Sequence, residues 1–222
     1  MDSALKKIIW FTIPAPAIFL ALLWNRLPET VPLHYNLQGE ADRYGNKNEL
    51  LLSVGLLMGV SILMYLLLSN IYRIDPKKYA PENKTRLHRM AFSTSVFLTA
   101  INCIIIYSTW HQEIKWTMRL ILAAVGLLFT ILGNYMHNIK PNYFAGIRLP
   151  WTLESEDNWR KTHLLAGKLF FAGGLLTILI SFIIPVSLIY IVFTIITVVV
   201  CLIPCIYSFS LYKKQKQVKN TK

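Results

Sequence analysis

The chain has 222 residues, of which 55% are hydrophobic and only 15% charged, where a soluble domain carries about 25% charged residues. With a mean hydropathy of +0.46, that balance excludes an ordinary soluble globular domain. The net charge of +12 would fit a nucleic-acid binder in a soluble chain, but its distribution gives it another origin.

Six segments are nearly free of charge: 8–24, 50–71, 90–110, 120–136, 164–184 and 186–212. Each is long enough to cross roughly 30 Å of hydrocarbon. A bilayer offers no water to exposed backbone groups, so the segments are read as helices. Transmembrane barrel strands would alternate over about ten residues, and nothing here alternates. The expected fold is an all-α membrane protein of six transmembrane helices in three helical hairpins. Residues 1–71 form a first unit with an outer loop at 28–49; residues 72–222 form a four-helix unit.

The first span follows Lys6 and Lys7 and ends on the bulky Leu22-Leu23-Trp24-Asn25. A cleavage site needs small residues, so the span reads as an uncleaved anchor. Pro14 and Pro16 kink that helix or delay its start. The outer loop reads PETVPLHYNLQGEADRYGNKNE, with turns expected at Gln38-Gly39 and Tyr44-Gly45. It is either a polar connector or a surface for an extracellular ligand. His34, Glu40 and Asp42 offer metal-ligand chemistry at an unspecific spacing.

The second span contains Gly55-x-x-x-Gly59, a small-residue pattern that serves either internal packing or a seam between copies. Asn70, Asn102 and Asn134 are expected to hydrogen-bond between helices. Cys103, Cys201 and Cys205 lie inside spans and read as packing residues. Arg119 and Lys168 sit within a turn or two of span ends, where they snorkel to the interface.

The inner loop 137–163 is the most distinctive piece. Pro141, Asn142, Gly146 and Pro150 fix its backbone, and Tyr143, Phe144, Trp151 and Trp159 supply aromatic surface. The aromatics are either interfacial anchors or parts of a structured loop folded onto the helix ends. Ser155 is the expected N-cap of the fifth span, with Glu156 and Asp157 favoured in its first turn by the helix dipole. That helix would be about 43 Å long, so its first turns project beyond the bilayer. Trp159, His163, Gly167 and Phe170 share one stripe of it. Arg148 is placed to pair with Glu154, Glu156 or a partner's carboxylate. The tail 213–222 is basic, expected to be disordered and drawn to anionic lipid.

With the N-terminus cytoplasmic, 18 of the 23 Lys and Arg fall on the cytoplasmic side, whereas the acids divide five outside and six inside. The positive-inside rule therefore accounts for the charge, puts both termini in the cytoplasm of a cell-membrane protein, and calls for no nucleic acid. The spans hold no buried Asp, Glu or His of the kind coupled transport uses. The five histidines sit at or beyond span ends, and no zinc or nucleophile motif is present. No catalytic residue, cofactor or metal is assigned.

The strings Gly133-Asn134-Tyr135-Met136, Lys140-Pro141-Asn142-Tyr143-Phe144-Ala145-Gly146-Ile147-Arg148-Leu149-Pro150-Trp151-Thr152-Leu153, Trp159 and Thr162-His163 resemble the signature of the SdpI family. These are membrane immunity proteins named for a sporulation-delaying toxin system. Leu149 stands where the family commonly has Thr. The outer-loop strings Leu27-Pro28, Val31-Pro32, His34-Tyr35-Asn36, Gly39-Glu40-Ala41-Asp42 and Tyr44-Gly45 resemble the domain of unknown function that often precedes this signature. The resemblance implies protection against, or sensing of, a secreted membrane-active peptide toxin, with a cytoplasmic repressor or other regulator as a further partner. It singles out Asn134, Pro141, Asn142, Gly146, Arg148, Pro150, Trp151, Trp159 and His163 on the inner loop. On the outer loop it singles out Pro32, His34, Asn36, Gly39 and Asp42. A small transporter or channel, suggested by Pro14, Pro16 and Pro204, and a membrane assembly factor are the competing readings.

Overall fold

A computed structural model describes residues 3–36, 41–77, 79–111 and 114–220. Six helices, each long and apolar enough to cross a membrane, dominate it. The first crossing, Lys7–Arg26, is broken. Helix α1 (Ser3–Thr12) ends before Pro14, and α2 (Ala15–Leu23) restarts with Pro16 in its first turn. Proline lacks the N–H an interior position needs but is tolerated in a first turn, which explains the break and the restart.

A two-stranded antiparallel ribbon follows, β1 (Thr30–Tyr35) against β2 (Ala41–Asn46), pairing Val31 with Gly45 and Pro32 with Tyr44. The six membrane-long helices of the all-α expectation are present, and the ribbon adds to them in the loop expected to hold only turns. It also removes the turn expected at Tyr44-Gly45. Gly45 lies within β2, where a Cβ would collide with Leu33 and the Glu49 carboxylate. The register shifts around His34, and such bulges disguise the alternation a strand would show in sequence. The turn expected at Gln38-Gly39 lies outside the described residues.

The remaining helices are α3 (Asn48–Asn70), α4 (Ala80–His111), α5 (Ile114–Met136), a short α6 (Pro150–Glu154), α7 (Glu156–Ile183) and α8 (Val186–Asn220). Helices α1, α2 and α3 pack on α4; α5 packs along α7, and α7 along α8. Helix α8 continues to Asn220, so residues 213–220 of the tail expected to be disordered are helical. Its Lys and Gln are good helix formers, and Gln215 Nε2 donates to Asp157 Oδ2 at 3.4 Å.

Two kinds of contact join the helices inside the bilayer. Between α3 and α4, Ser61 and Ser95 each donate to the other's carbonyl, at 3.4 and 3.2 Å, and Asn102 Nδ2 donates to the Val54 carbonyl at 3.2 Å. Between α5 and α7 the backbones touch. A Cβ on Gly133 would lie 2.8 Å from the Gly167 carbonyl oxygen, and one on Gly126 would lie 2.7 Å from that of Gly174. Small residues permit this approach where lipid supplies no hydrophobic drive.

The asparagine expectation holds only for Asn102. Asn70 Nδ2 bonds the Leu66 carbonyl of its own helix, and the Asn134 side chain is exposed. Gly55 and Gly59 take no part in internal packing, since nothing lies within 4 Å of a Cβ built on either. Arg119 Nη1 reaches the Ser181 carbonyl at 2.6 Å, joining α5 to the end of α7. The three cysteines are free.

Candidate functional site

Residues 137–163 form a folded cap rather than a connector. Asn142 is its hub. The buried amide donates to the Lys140 and Ala145 carbonyls, both at 3.0 Å, and accepts from the Phe144 and Ala145 N–H groups at 2.9 and 2.7 Å. All four hydrogen-bonding positions of the side chain are used. Gly146 follows at φ +109°, a conformation only glycine adopts without strain. A Cβ there would collide with His163 Nε2.

His163 fills the place so left. Its Nε2 accepts from the Ile147 N–H at 2.9 Å, and Nδ1 lies 2.9 Å from the Trp159 carbonyl. The first contact needs a bare nitrogen and the second a proton, which fixes the neutral Nδ1–H tautomer. The ring stacks on Trp159 with centroids 3.9 Å apart. Trp159, itself 1% exposed, sends its Nε1–H to the Ile139 carbonyl at 2.8 Å. The loop is thus tied to α7 at both ends by one stacked pair.

A second tie runs to α4. Asn83, fully buried, donates to the Lys140 carbonyl at 3.0 Å and accepts from the Lys140 N–H at 2.9 Å. A third runs to α8. Trp151 Nε1 donates to Ser208 Oγ at 2.9 Å, and Asn158 Nδ2 to the Ser208 carbonyl at 2.9 Å. Trp151 packs against Phe209 and Tyr212. Between these ties, Pro150 opens the short α6 and the Thr152 hydroxyl caps it by accepting from the Leu149 N–H at 2.9 Å. Ser155 caps α7 as expected, accepting from the Asn158 N–H at 3.3 Å.

Within the chain, Arg148 bonds a backbone carbonyl rather than the Glu154 or Glu156 carboxylate expected for it. Its Nη1 donates to the Tyr143 carbonyl at 2.9 Å, and the side chain is exposed. Tyr143, also exposed, lies under Lys77 Nζ at 5.1 Å from the ring centroid. A cleft of about 400 Å³ opens beside the cap, lined by Tyr79, Arg86, His137, Pro141, Glu156 and Arg160 among others.

At the other end of the bundle the ribbon is seated by Val31, fully buried among Leu20, Leu23, Leu27, Leu50, Val54 and Ile106. Lys47 Nζ reaches Glu29 Oε1 at 2.7 Å. His34 Nδ1 lies 2.6 Å from Asp42 Oδ1, both exposed. Pro32 pairs with Tyr44 across the ribbon, and Asn36 directly follows β1. Gly39 and Glu40 lie outside the described residues. Among the described residues no group of three or more His, Cys, Asp or Glu could hold a metal.

Residues 138–208 match the model of the SdpI/YfhL protein family, and residues 11–59 that of DUF1648, a domain of unknown function. The chain carries an SdpI/YfhL region. Its match begins at the cap and ends at Ser208, the residue that Trp151 and Asn158 hold on α8. The chain is also 25% identical over 193 residues to Immunity protein SdpI of Bacillus subtilis (strain 168), covering 87% of this chain and 88% of that one. No solved structure matches the chain.

Of the inner-loop residues that the resemblance singles out, Pro141, Asn142, Gly146, Pro150, Trp151, Trp159 and His163 come together in the cap, with Arg148 on its surface. Asn134 stands apart, one turn back on α5. The sequence did not single out Asn83, Asn158 or Ser208, and Thr152 stood there only as one residue of the resembled string. Asn158 is four residues before Thr162, whose hydroxyl donates to its Oδ1 at 3.0 Å, and that spacing was the available signal. Asn83 and Ser208 have no marker in the sequence.

Proposed function

We propose that this chain is a membrane immunity protein that protects a bacterium against a secreted, membrane-active peptide toxin. The observation that carries the reading is the similarity to Immunity protein SdpI along nearly the whole of both chains. The six apolar helices agree with action at the bilayer, where such a toxin works. The mechanism we infer is interception by binding, without chemistry on the toxin. The ribbon faces the outside, the cap and both termini face the cytoplasm, and the distribution of Lys and Arg supports that orientation.

The cap adds a signalling role to this reading. Its buried core is tied to α4, α7 and α8 together, so a shift of one helix against another strains it. Its exposed Arg148 and Tyr143 are the surface a cytoplasmic repressor would meet. Arginine in that position offers a rigid fork for a partner's carboxylate.

The test is expression in a toxin-sensitive bacterium, challenged with each small secreted peptide encoded beside the gene. Survival with at least one peptide, against death of the control, is the expected result. Equal killing by every peptide overturns the reading.

A further inference from the structure

A groove of about 360 Å³ on the α5–α7 seam adjoins the cleft beside the cap. Gly133, Asn134, Leu164, Gly167, Lys168 and Phe171 line it, and His137 is a wall of both. Gly133 and Gly167 offer backbone alone, which leaves room between the two helices.

The groove opens on the lipid face of α7. Leu164, Phe171, Leu175, Leu179 and Phe182 are exposed, and their spacing puts them on one stripe of the helix. Lys168 is exposed within that stripe, and it has no hydrogen bond or ion pair among the described residues. A charge on a lipid-facing stripe is costly without a counter-charge. Lys168 lies one turn inside the apolar stretch of α7 that starts at Leu164, and Arg86 one turn before the apolar stretch of α4 that starts at Met90. Both stand at the hydrocarbon boundary, the level of lipid phosphates.

The cleft adds cations that the chain itself leaves without a close acid. Arg86 Nη1 donates to a backbone carbonyl, that of Glu82, at 3.0 Å. Lys140 Nζ comes only to 4.0 Å from the Glu82 carboxylate. The acids of the cleft are engaged: Glu156 accepts from the Tyr79 hydroxyl at 2.8 Å, and Asp157 pairs with Arg160 at 3.0 Å and with Lys161 at 2.7 Å.

An apolar groove that meets a cationic cleft at the hydrocarbon boundary matches an acyl chain joined to a phosphate. Free phosphate would leave the groove unused, and an uncharged lipid would leave the cations unused. Basic pockets between spans hold anionic headgroups in this way. We propose that groove and cleft together bind one anionic phospholipid, with an acyl chain along the α5–α7 seam, its phosphate at Lys168 and its headgroup in the cleft with Arg86 and Lys140. Such a lipid links α4, the cap and α7, and so steadies the cap.

The test titrates the full chain, purified in dodecyl maltoside, with dioleoylphosphatidylglycerol, and counts bound lipid by native mass spectrometry. One phosphatidylglycerol should bind saturably and raise the thermal midpoint, and dioleoylphosphatidylcholine should bind more weakly. Arg86→Gln and Lys168→Gln should each weaken phosphatidylglycerol binding about fivefold. Asn134→Trp, which fills the groove from an exposed position, should weaken it at least about tenfold. Lys7→Gln, an equal loss of charge at an exposed lysine of α1, should leave it unchanged. Equal weakening in Lys7→Gln would mean diffuse attraction to a basic face and would overturn the proposal. So would phosphatidylcholine binding as tightly as phosphatidylglycerol with both cleft variants unaffected, since that describes an acyl-chain groove alone. Competition by inorganic phosphate, with Asn134→Trp binding lipid as wild type does, would overturn it as well, since that describes a site for soluble phosphate.

Discussion

Gly146 and His163 occupy each other's space: the missing Cβ of the one is where Nε2 of the other sits, 2.9 Å from the Ile147 N–H it accepts. Gly146→Ala therefore meets two obstacles, a positive φ of 109° and the imidazole. We expect a loss of about 1–3 kcal/mol of stability, read as a lower thermal midpoint in detergent. His163→Ala should open the same loop by removing the acceptor and the stack on Trp159. Combining the two should cost less than the sum of the single losses, because both act on one contact.

The reciprocal bonds between Asn83 and the Lys140 backbone tie the cap to α4. In Asn83→Leu, at nearly unchanged side-chain volume, the Lys140 N–H loses its partner and the Lys140 carbonyl keeps only Asn142 Nδ2, at a cost of about 1–3 kcal/mol for the N–H left unpaired. Limited proteolysis should then cut within 137–149 faster than in wild type, while cleavage of the ribbon end stays the same.

The glycines divide into two classes that one substitution tells apart. Gly174→Leu should abolish the α5–α7 contact, since even a Cβ there meets the Gly126 carbonyl and the Thr130 backbone N–H. The variant should be lost from the membrane fraction or unfold well below wild type. Gly59→Leu points into open space and should leave the thermal midpoint of the isolated chain unchanged. If crosslinking between copies falls in Gly59→Leu, that face of α3 is a seam; if it holds, the pattern meets lipid alone.

Arg148 and Trp151 stood side by side in the sequence as equal candidates, and the structure separates them. Arg148→Ala removes an exposed side chain held by one bond to the Tyr143 carbonyl. It should leave stability within about 0.5 kcal/mol and abolish recruitment of a cytoplasmic partner, measured by co-purification. Trp151→Ala also removes the bond to Ser208 and the packing on Phe209 and Tyr212. It should lower the thermal midpoint as well, so it cannot serve alone as a docking variant.

The spans were legible because the bilayer imposes length and apolarity together, but the helices run past the apolar stretch where their polar ends leave it: α4 starts at Ala80 rather than near 90, and α8 continues to Asn220 rather than ending near 212. The cap was legible as far as residues that fix backbone announce themselves: Gly146, Pro150 and the Ser155 cap are local signals. What they are tied to was not, because Asn83 and Ser208 act at separations of 57 and 50 residues in chain number and look ordinary where they stand. The ribbon was missed because two register shifts break its alternation and Gly45 mimics a turn. Its glycine answers instead to the close approach of Leu33 and Glu49. The helical tail was missed because a basic, polar composition reads as disorder, yet it continues a helix already nucleated by an apolar span.

The central claim, protection at the membrane, is tested most directly by membrane potential. Cells of a sensitive bacterium with and without the chain are exposed to the peptide encoded beside the gene, and a potential-sensitive dye is followed. The account predicts that cells with the chain hold their potential while control cells depolarise. Equal depolarisation of both, with the chain verified in the membrane, would contradict it.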